Sequence, residues 1–432
     1  MRRFLRSGVL IFLDQAMVSG TSFLTTIIVA RVAGVHELAT YALAMTLLLL
    51  LGAVHEALVL QPYTFHVHRM DGTTRPTYVG SVFASLIGLA VLAALALSGA
   101  GMLLPDDVGE GGLTSMLFGL AGVAPCWLLR EFARRTSFAG VAVGTGVRID
   151  ASVMLLQLGS LAWLAATGRL SGLTALYATA TACAVTGVGW LATSRGRLQM
   201  RPSHFGRDWR RNWELGRWIL ASRVAAQLNS EMAMPWLLLS LEGSAAAGLF
   251  AACLTVVYIA SPMVQAAGLF LTPRIARTAA VNGLTAATTL VWKATASLGA
   301  GLGLYTLALV LLADPILRLM YGSQLAGHGA SVAALAVALT MSVVGSAARS
   351  GLLLIERARV SLLSSAFGFC VLMITAPVLI IRWSVLGAAV ALVAGSTAES
   401  ITLMLYFRRH TQEAIDVGSM RRFTTERQEG LS

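Results

Sequence analysis

Lysine is almost absent. Lys293 is the only one in 432 residues, against 31 arginines. Charge of any kind is scarce: Asp, Glu, Lys and Arg make up 12% of the chain, where soluble domains carry roughly a quarter. There are four cysteines (Cys126, Cys183, Cys253, Cys370), all inside apolar stretches and none in a Cys-x-x-Cys pair. Neither a zinc site nor a disulfide framework is supported. No Gly-x-x-x-x-Gly-Lys-Ser/Thr motif occurs, which excludes ATP hydrolysis of the P-loop kind. His66 and His68 share a loop with no further His or Cys nearby, so no metal site is read there. No cofactor motif is present.

Apolar residues fill the space that charge leaves. They form 56% of the chain, and mean hydropathy is +0.75. They gather in stretches near 20 residues, the length a helix needs to cross a bilayer core of about 30 Å. In hydrocarbon the backbone must satisfy its own hydrogen bonds, which predicts helices. The predicted spans are 9–30, 39–61, 78–98, 114–131, 141–165, 172–193, 216–241, 248–272, 286–313, 329–354, 362–381 and 385–407. The fold class is thus an all-α polytopic membrane protein of about twelve transmembrane helices. The basic start Met1-Arg-Arg-Phe-Leu-Arg6 resembles a signal peptide, but the apolar run to Ala30 is too long for one. It reads as an uncleaved first helix.

A net charge of +12 is compatible with nucleic-acid binding, but its placement argues otherwise. Arg2, Arg3 and Arg6, Arg69 and Arg75, Arg134 and Arg135, Arg195 to Arg217, Arg274 and Arg277, Arg357 and Arg359, and Arg408 to Arg427 fall on one side. The other side has Arg31, Arg169, Arg318 and Arg382, plus the acidic loop Pro105–Glu110. The positive-inside rule makes the first side cytoplasmic, with both termini on it. Membrane lipids, the anionic ones above all, are the partner of such a surface.

The longest internal polar segment, Ser194 to Arg217, divides the spans six and six. The expected organisation is an N-terminal lobe (1–200), a basic cytoplasmic linker (201–215), a C-terminal lobe (216–410) and a disordered cytoplasmic tail (411–432). An even split makes the lobes parallel repeats. A weak echo agrees: Ala33–Ala42 matches Glu242–Ala251, and Ala57–Pro62 matches Gly268–Pro273, at offsets of 209 and 211. In this reading each half ends its second helix on Leu-x-Leu-x-Pro, and a central cavity lies between the lobes.

Charges inside spans cost about 2.5–3.5 kcal/mol on insertion scales, so they usually face a cavity or another helix. Arg223, Gln227 and Glu231 share one face of span seven at i, i+4, i+8. Gln15, Ser19, Ser22 and Thr26 form a stripe on span one, with Asp14 beside it. Arg148, Asp150, Arg349, Glu56 and Glu399 are further candidates. Arg148 and Asp150 are two apart, about 200° around a helix, and are poor partners for each other. Asp14, Arg349 and Glu399 lie close enough to the cytoplasmic edge to snorkel. Arg31 either anchors the external end of span one or meets substrate. Trp209, Trp213, Trp218, Trp383 and Tyr406 read as interface residues.

Asp14-Gln15, then Val18-Ser19-Gly20-x-x-Phe23-Leu24, Ala30-Arg31-x-Ala33-Gly34 and Tyr41-Ala-Leu-Ala44 resemble the start of bacterial polysaccharide (O-antigen or exopolysaccharide) flippases. That family lies in the multidrug/oligosaccharidyl-lipid/polysaccharide exporter superfamily. Ala57–Pro62 is similar to the end of the family's second helix, and Pro315–Gln324 to its external Leu-x-x-Leu-Tyr-Gly turn. Ala39 stands where a Gly is usual, and no Pro follows Gly34. The resemblance implies two six-helix lobes around a V-shaped cavity that opens alternately to each side. The implied cargo is an oligosaccharide on undecaprenyl pyrophosphate, and polysaccharide assembly proteins are implied partners.

For that cargo, Arg223, Arg148 and Arg349 are candidates to hold phosphate, since arginine forks suit anionic oxygens. Arg31 is a further candidate contact, and Gln15 and Gln227 are candidates to bind sugar. Asp14, Glu56, Glu231, Glu399 and Asp150 are candidates for coupling to H+ or Na+, or for gating. Two other readings compete: an ion-coupled multidrug exporter of the same fold and a membrane glycosyltransferase or polymerase. The first favours acidic cavity residues over arginines. The second usually needs a long external loop, which this sequence lacks.

Overall fold

The computed structural model describes residues 2–67, 70, 74–104, 112–139, 143–194, 196, 198–228, 232–322, 325–354 and 358–429. The side chains of 2–12, 139, 143, 218, 222–228, 265–270, 272, 273, 276, 280, 353, 354, 358 and 413–429 fall outside that description. Among the described residues the chain is helical apart from short turns, with no strand. The helices are α1 (Arg2–Val32), α2 (Val35–His55), α3 (Gln61–Val67), α4 (Arg75–Leu103), α5 (Leu113–Ala139), α6 (Val143–Ala166), α7 (Gly172–Ser194), α8 (Pro202–Leu228), α9 (Ala233–Glu242), α10 (Ser244–Val257), α11 (Ser261–Tyr321), α12 (Gly329–Leu354) and α13 (Ala358–Glu429).

Among the described residues, ten segments are long and apolar enough to cross a membrane. The longest, Arg359–Gln412, breaks at Ser384 (φ 48°), within the predicted gap between the last two spans. A break at Gly283 divides α11 in the same way. The protein is an all-helical polytopic membrane protein.

Two compact units are present, Met1–Thr255 and Val256–Ser432. Residues 216–255, expected with the C-terminal lobe, fold within the first. The segment 201–215, expected as a linker, is the N-terminal part of α8. Helical backbone also continues through the expected tail to Glu429.

The first unit packs around Phe132 of α5. Its ring meets Tyr63, Phe83 and Trp190, and Leu58, Tyr78, Val82, Leu86 and Leu128 belong to the same cluster. Phe132 has no exposed surface. Phe132→Ala is expected to destabilise by about 3–5 kcal/mol, read as a lower melting temperature of the purified protein. In the second unit Ile275, Val291, Leu352, Leu403 and Phe407 form the corresponding centre.

Pro62 does not end the second predicted span. The backbone widens to a π-turn over Glu56–Leu60 and then continues through α3 to Val67. A proline lacks an N–H and crowds the carbonyl four residues back, here Leu58, so a wider turn just before it relieves the clash.

Gly34 (φ 92°, ψ 175°) and Gly243 (φ 92°, ψ −178°) stand at equivalent places in the internal echo. Each makes the abrupt turn between two helices with the same backbone conformation. Only glycine enters that region without steric cost.

Candidate functional site

The densest polar chemistry lies where α1, α5 and α6 meet. Near its end α5 carries Arg130-Glu131-Phe-Ala-Arg134-Arg135, one helical turn separating Arg130 from Arg134 and Glu131 from Arg135 at i and i+4. Asp14 of α1 and Asp150 of α6 face them. Arg134 sits at the centre. Its Nη2 donates to Asp14 Oδ2 at 2.9 Å, its Nε to Asp150 Oδ2 at 2.6 Å and its Nη1 to Glu131 Oε1 at 3.2 Å. Arg130 donates to Asp150 and, at 3.1 Å, to Glu131 Oε2. Arg135 donates to Glu131 Oε1 at 2.9 Å. Three guanidinium groups thus meet three carboxylates, with no net formal charge. The Arg134 guanidinium also lies 5.4 Å from the Phe138 ring centroid.

Burial makes this balance necessary. The Asp150 side chain is fully covered, and those of Asp14 and Arg130 are 3% and 9% exposed. An isolated charge there would be far costlier than a paired one. Satisfaction is incomplete all the same: Asp14 Oδ1 and Arg130 Nε are buried without a hydrogen-bond partner. Asp14 is near the start of its membrane segment, Arg130–Arg135 near the end of theirs, and Asp150 near the start of its own. The network therefore occupies one end of this helix group, the arginine-rich end. Further along, Gln157 of α6 donates to Thr25 Oγ1 of α1 at 3.1 Å, and both are buried.

A smaller ionic site lies in the second unit. Arg349 of α12 donates to Glu399 and, at 3.1 Å, to Ser365 Oγ. Ser365 in turn donates to Glu399 Oε1 at 2.6 Å. Glu399 is nearly covered, but a third of the Arg349 side chain stays accessible.

A third feature joins equivalent pieces of the internal echo within the first unit. Gly248 of α10 packs so tightly on the N-terminal turn of α2 that a Cβ there would collide with the Val35 carbonyl. Its counterpart in the echo, Ala39, has its backbone nitrogen 3.2 Å from the same point. His36 Nδ1 hydrogen-bonds Ser244 Oγ at 2.9 Å, and Trp236 Nε1 donates to Thr46 Oγ1 at 2.7 Å.

The sequence-derived candidates distribute unevenly over these features. Asp14 and Asp150 belong to the network, and Arg349 and Glu399 pair with each other. Asp14 and Glu399 are covered and salt-bridged rather than reaching outward. Arg148 is exposed, donates to Gly144 O and Thr145 Oγ1 of its own helix and stays apart from Asp150, as their spacing required. Arg31 is exposed in the last turn of α1, and Gln15 is half-buried. Glu56 is half-buried in the π-turn, 3.5 Å from Gln61 Nε2. Arg223 and Gln227 lie on α8 with side chains outside the described set, and Glu231 lies outside the described residues altogether.

Arg130, Glu131 and Arg134 were not sequence candidates. Arg134 and Arg135 read as loop charges beyond a span ending at residue 131; α5 instead continues to Ala139 and buries Arg134. The available signal was the Arg-Glu-x-x-Arg-Arg pattern, in which Glu131 can meet Arg134 and Arg135 across one turn.

No protein-family model and no curated protein sequence matches the chain. Solved structures do. It is similar to the lipid II flippase MurJ in an inward closed conformation, with TM-score 0.64 and 11% identity over 94% of this chain and 87% of that one. It is similar to a MOP superfamily transporter from Pyrococcus furiosus described as having a binding pocket of reversed polarity, with TM-score 0.67 and 14% identity over 93% and 94%. An inward-facing multidrug resistance MATE family transporter of the same superfamily gives TM-score 0.68 and 14% identity over 94% and 95%. The chain thus has the fold of MOP superfamily transporters.

Proposed function

We propose that the chain is an alternating-access transporter that moves an oligosaccharide carried on undecaprenyl pyrophosphate across the bacterial inner membrane. The fold likeness to a lipid II flippase supports the transport class. The observation that carries the cargo is the state of the acids: Asp14, Glu131, Asp150 and Glu399 each already face an arginine. Carboxylates so neutralised attract a cation poorly, whereas Arg349 keeps accessible surface beside its partner. A pyrophosphate oxygen would compete with Glu399 for that guanidinium, because charge-assisted forks to phosphate are among the strongest polar contacts available. With that guanidinium drawn to the cargo, the Glu399 carboxylate would be less neutralised and would attract a coupling cation more strongly, which links cargo to coupling ion. Arg223, Arg148 and Arg31 remain candidate contacts for the same headgroup, with Gln15 and Gln227 for sugar.

The second reading, an ion-coupled multidrug exporter, draws on the likeness to the multidrug resistance transporter. The paired carboxylates weigh against it.

The test is complementation of a strain whose surface polysaccharide depends on this gene. Arg349→Gln is expected to cut surface polymer about tenfold at equal protein abundance, and Arg349→Lys to fall between, since an ammonium lacks the planar fork. Full polymer in Arg349→Gln would remove the phosphate role.

A further inference from the structure

We propose that the N-terminal half of α8 is a docking surface for anionic phospholipid, at the arginine-rich end of the first unit. It is independent of the cargo reading.

One stripe of this helix is fastened to the protein. Asp208, Asn212 and Gly216, spaced i, i+4, i+8, are buried. Tyr78 Oη donates to Asn212 Oδ1 at 2.8 Å, and a Cβ on Gly216 would stand 2.7 Å from the Ala57 carbonyl. The approach to the helix is pinned as well: Gln199 N donates to Pro76 O at 3.1 Å. The helix is thus held at a fixed angle.

A second stripe, about 100° around the helix, carries Phe205, Trp209 and Trp213, again at i, i+4, i+8. Their rings stack in a ladder, with centroids 6.4 and 6.2 Å apart. All three keep open surface among the described residues: they are 37%, 37% and 42% exposed. Arg210 flanks the ladder on the side away from the bundle, and Arg207 and Arg211 lie on the face opposite it. Arg207 and Arg210 are 75% and 84% exposed, each near an acid of its own helix, Asp208 at 3.9 Å and Glu214 at 3.4 Å. The arginines outnumber those acids.

Two observations select a membrane surface as the occupant. The first is depth. Tyr78, which holds Asn212, is three residues inside the membrane segment Arg75–Leu103, so the ladder lies at the level where that segment enters the bilayer. Tryptophan favours that level, with its ring in the interface and its N–H wet. The second is charge: an aromatic face with arginines beside and behind it is the pattern of a helix lying in the plane of an anionic interface.

The full-length protein is reconstituted in vesicles, and tryptophan fluorescence is read as phosphatidylglycerol brominated near its carbonyl end replaces phosphatidylcholine. Matched vesicles carry brominated phosphatidylcholine. Brominated phosphatidylglycerol is expected to quench at a lower mole fraction than brominated phosphatidylcholine. The Trp209→Phe/Trp213→Phe variant should lose that difference. In Arg207→Gln/Arg210→Gln/Arg211→Gln the mole fraction at half-quenching should rise, on the order of fivefold in all, about the effect of one surface arginine, because Arg207 and Arg210 already stand beside Asp208 and Glu214. Unchanged melting temperatures will show that the variants are folded, since all five residues are exposed. Equal quenching by the two lipids would overturn the proposal. So would a Trp209/Trp213 signal reached by aqueous iodide and by neither lipid, which would leave the face to an acidic protein instead.

Discussion

Arg134→Gln is expected to give a protein that melts far below wild type or fails to fold. Arg134 is shared by Asp14, Glu131 and Asp150, so its removal leaves a carboxylate excess in a covered site. Breaking a buried ion pair from one side typically costs about 3–5 kcal/mol, mostly from the charge left behind. That origin dictates a rescue. Arg134→Gln/Asp14→Asn restores equal numbers of cations and anions and should recover much of the lost stability, although it removes one more charged group. Thermal melts of the three proteins in one detergent check both statements. A single variant as stable as wild type, or a double variant worse than the single, would mean that the network does not hold α1, α5 and α6 together.

Gly248→Leu is expected to abolish transport, with surface polymer falling more than tenfold while the protein still inserts. The obstacle to a larger side chain at this position is the Val35 carbonyl, a backbone atom that cannot rotate aside. α2 and α10 must then part, and a conformation that needs their close contact becomes inaccessible. A transporter confined to part of its cycle moves nothing, however well it binds. Gly248→Ala should give an intermediate loss because its methyl group demands a smaller separation. Complementation measured at matched abundance reads the series. Wild-type polymer in Gly248→Leu would show that the contact is incidental to the cycle.

Much of the helical layout was legible because hydropathy is a local property. Residues 329–354 were predicted as one span and form α12 with the same limits. The gaps predicted near residues 283 and 384 contain the breaks at Gly283 and Ser384. Gly34 and Gly243, matched in the sequence, share one backbone conformation.

What stayed hidden depends on partners distant in sequence. Arg134 finds Asp14 120 residues away, and nothing local separates a loop arginine from one neutralised by another helix. Arg349 and Glu399, by contrast, were identified individually, while their direct pairing, shared with Ser365, was not. The π-turn before Pro62 replaced an expected helix end because a modest widening of the backbone costs less than unwinding in lipid, where freed backbone groups find no water. At residues 201–215 polar composition suggested a linker. The two i, i+4, i+8 stripes, one buried and one aromatic, mark it as helix only once both are seen together.

The most direct measurement is headgroup movement in proteoliposomes. The purified chain is reconstituted with fluorescently labelled undecaprenyl-pyrophosphate oligosaccharide, and a membrane-impermeant quencher follows the label across the bilayer. Wild-type protein should expose the inner-leaflet label at a rate well above that of empty vesicles, and Arg349→Gln should slow it about tenfold. Ion-driven movement of a cationic dye by the same vesicles, with the lipid-linked sugar left in place, would contradict an anionic cargo.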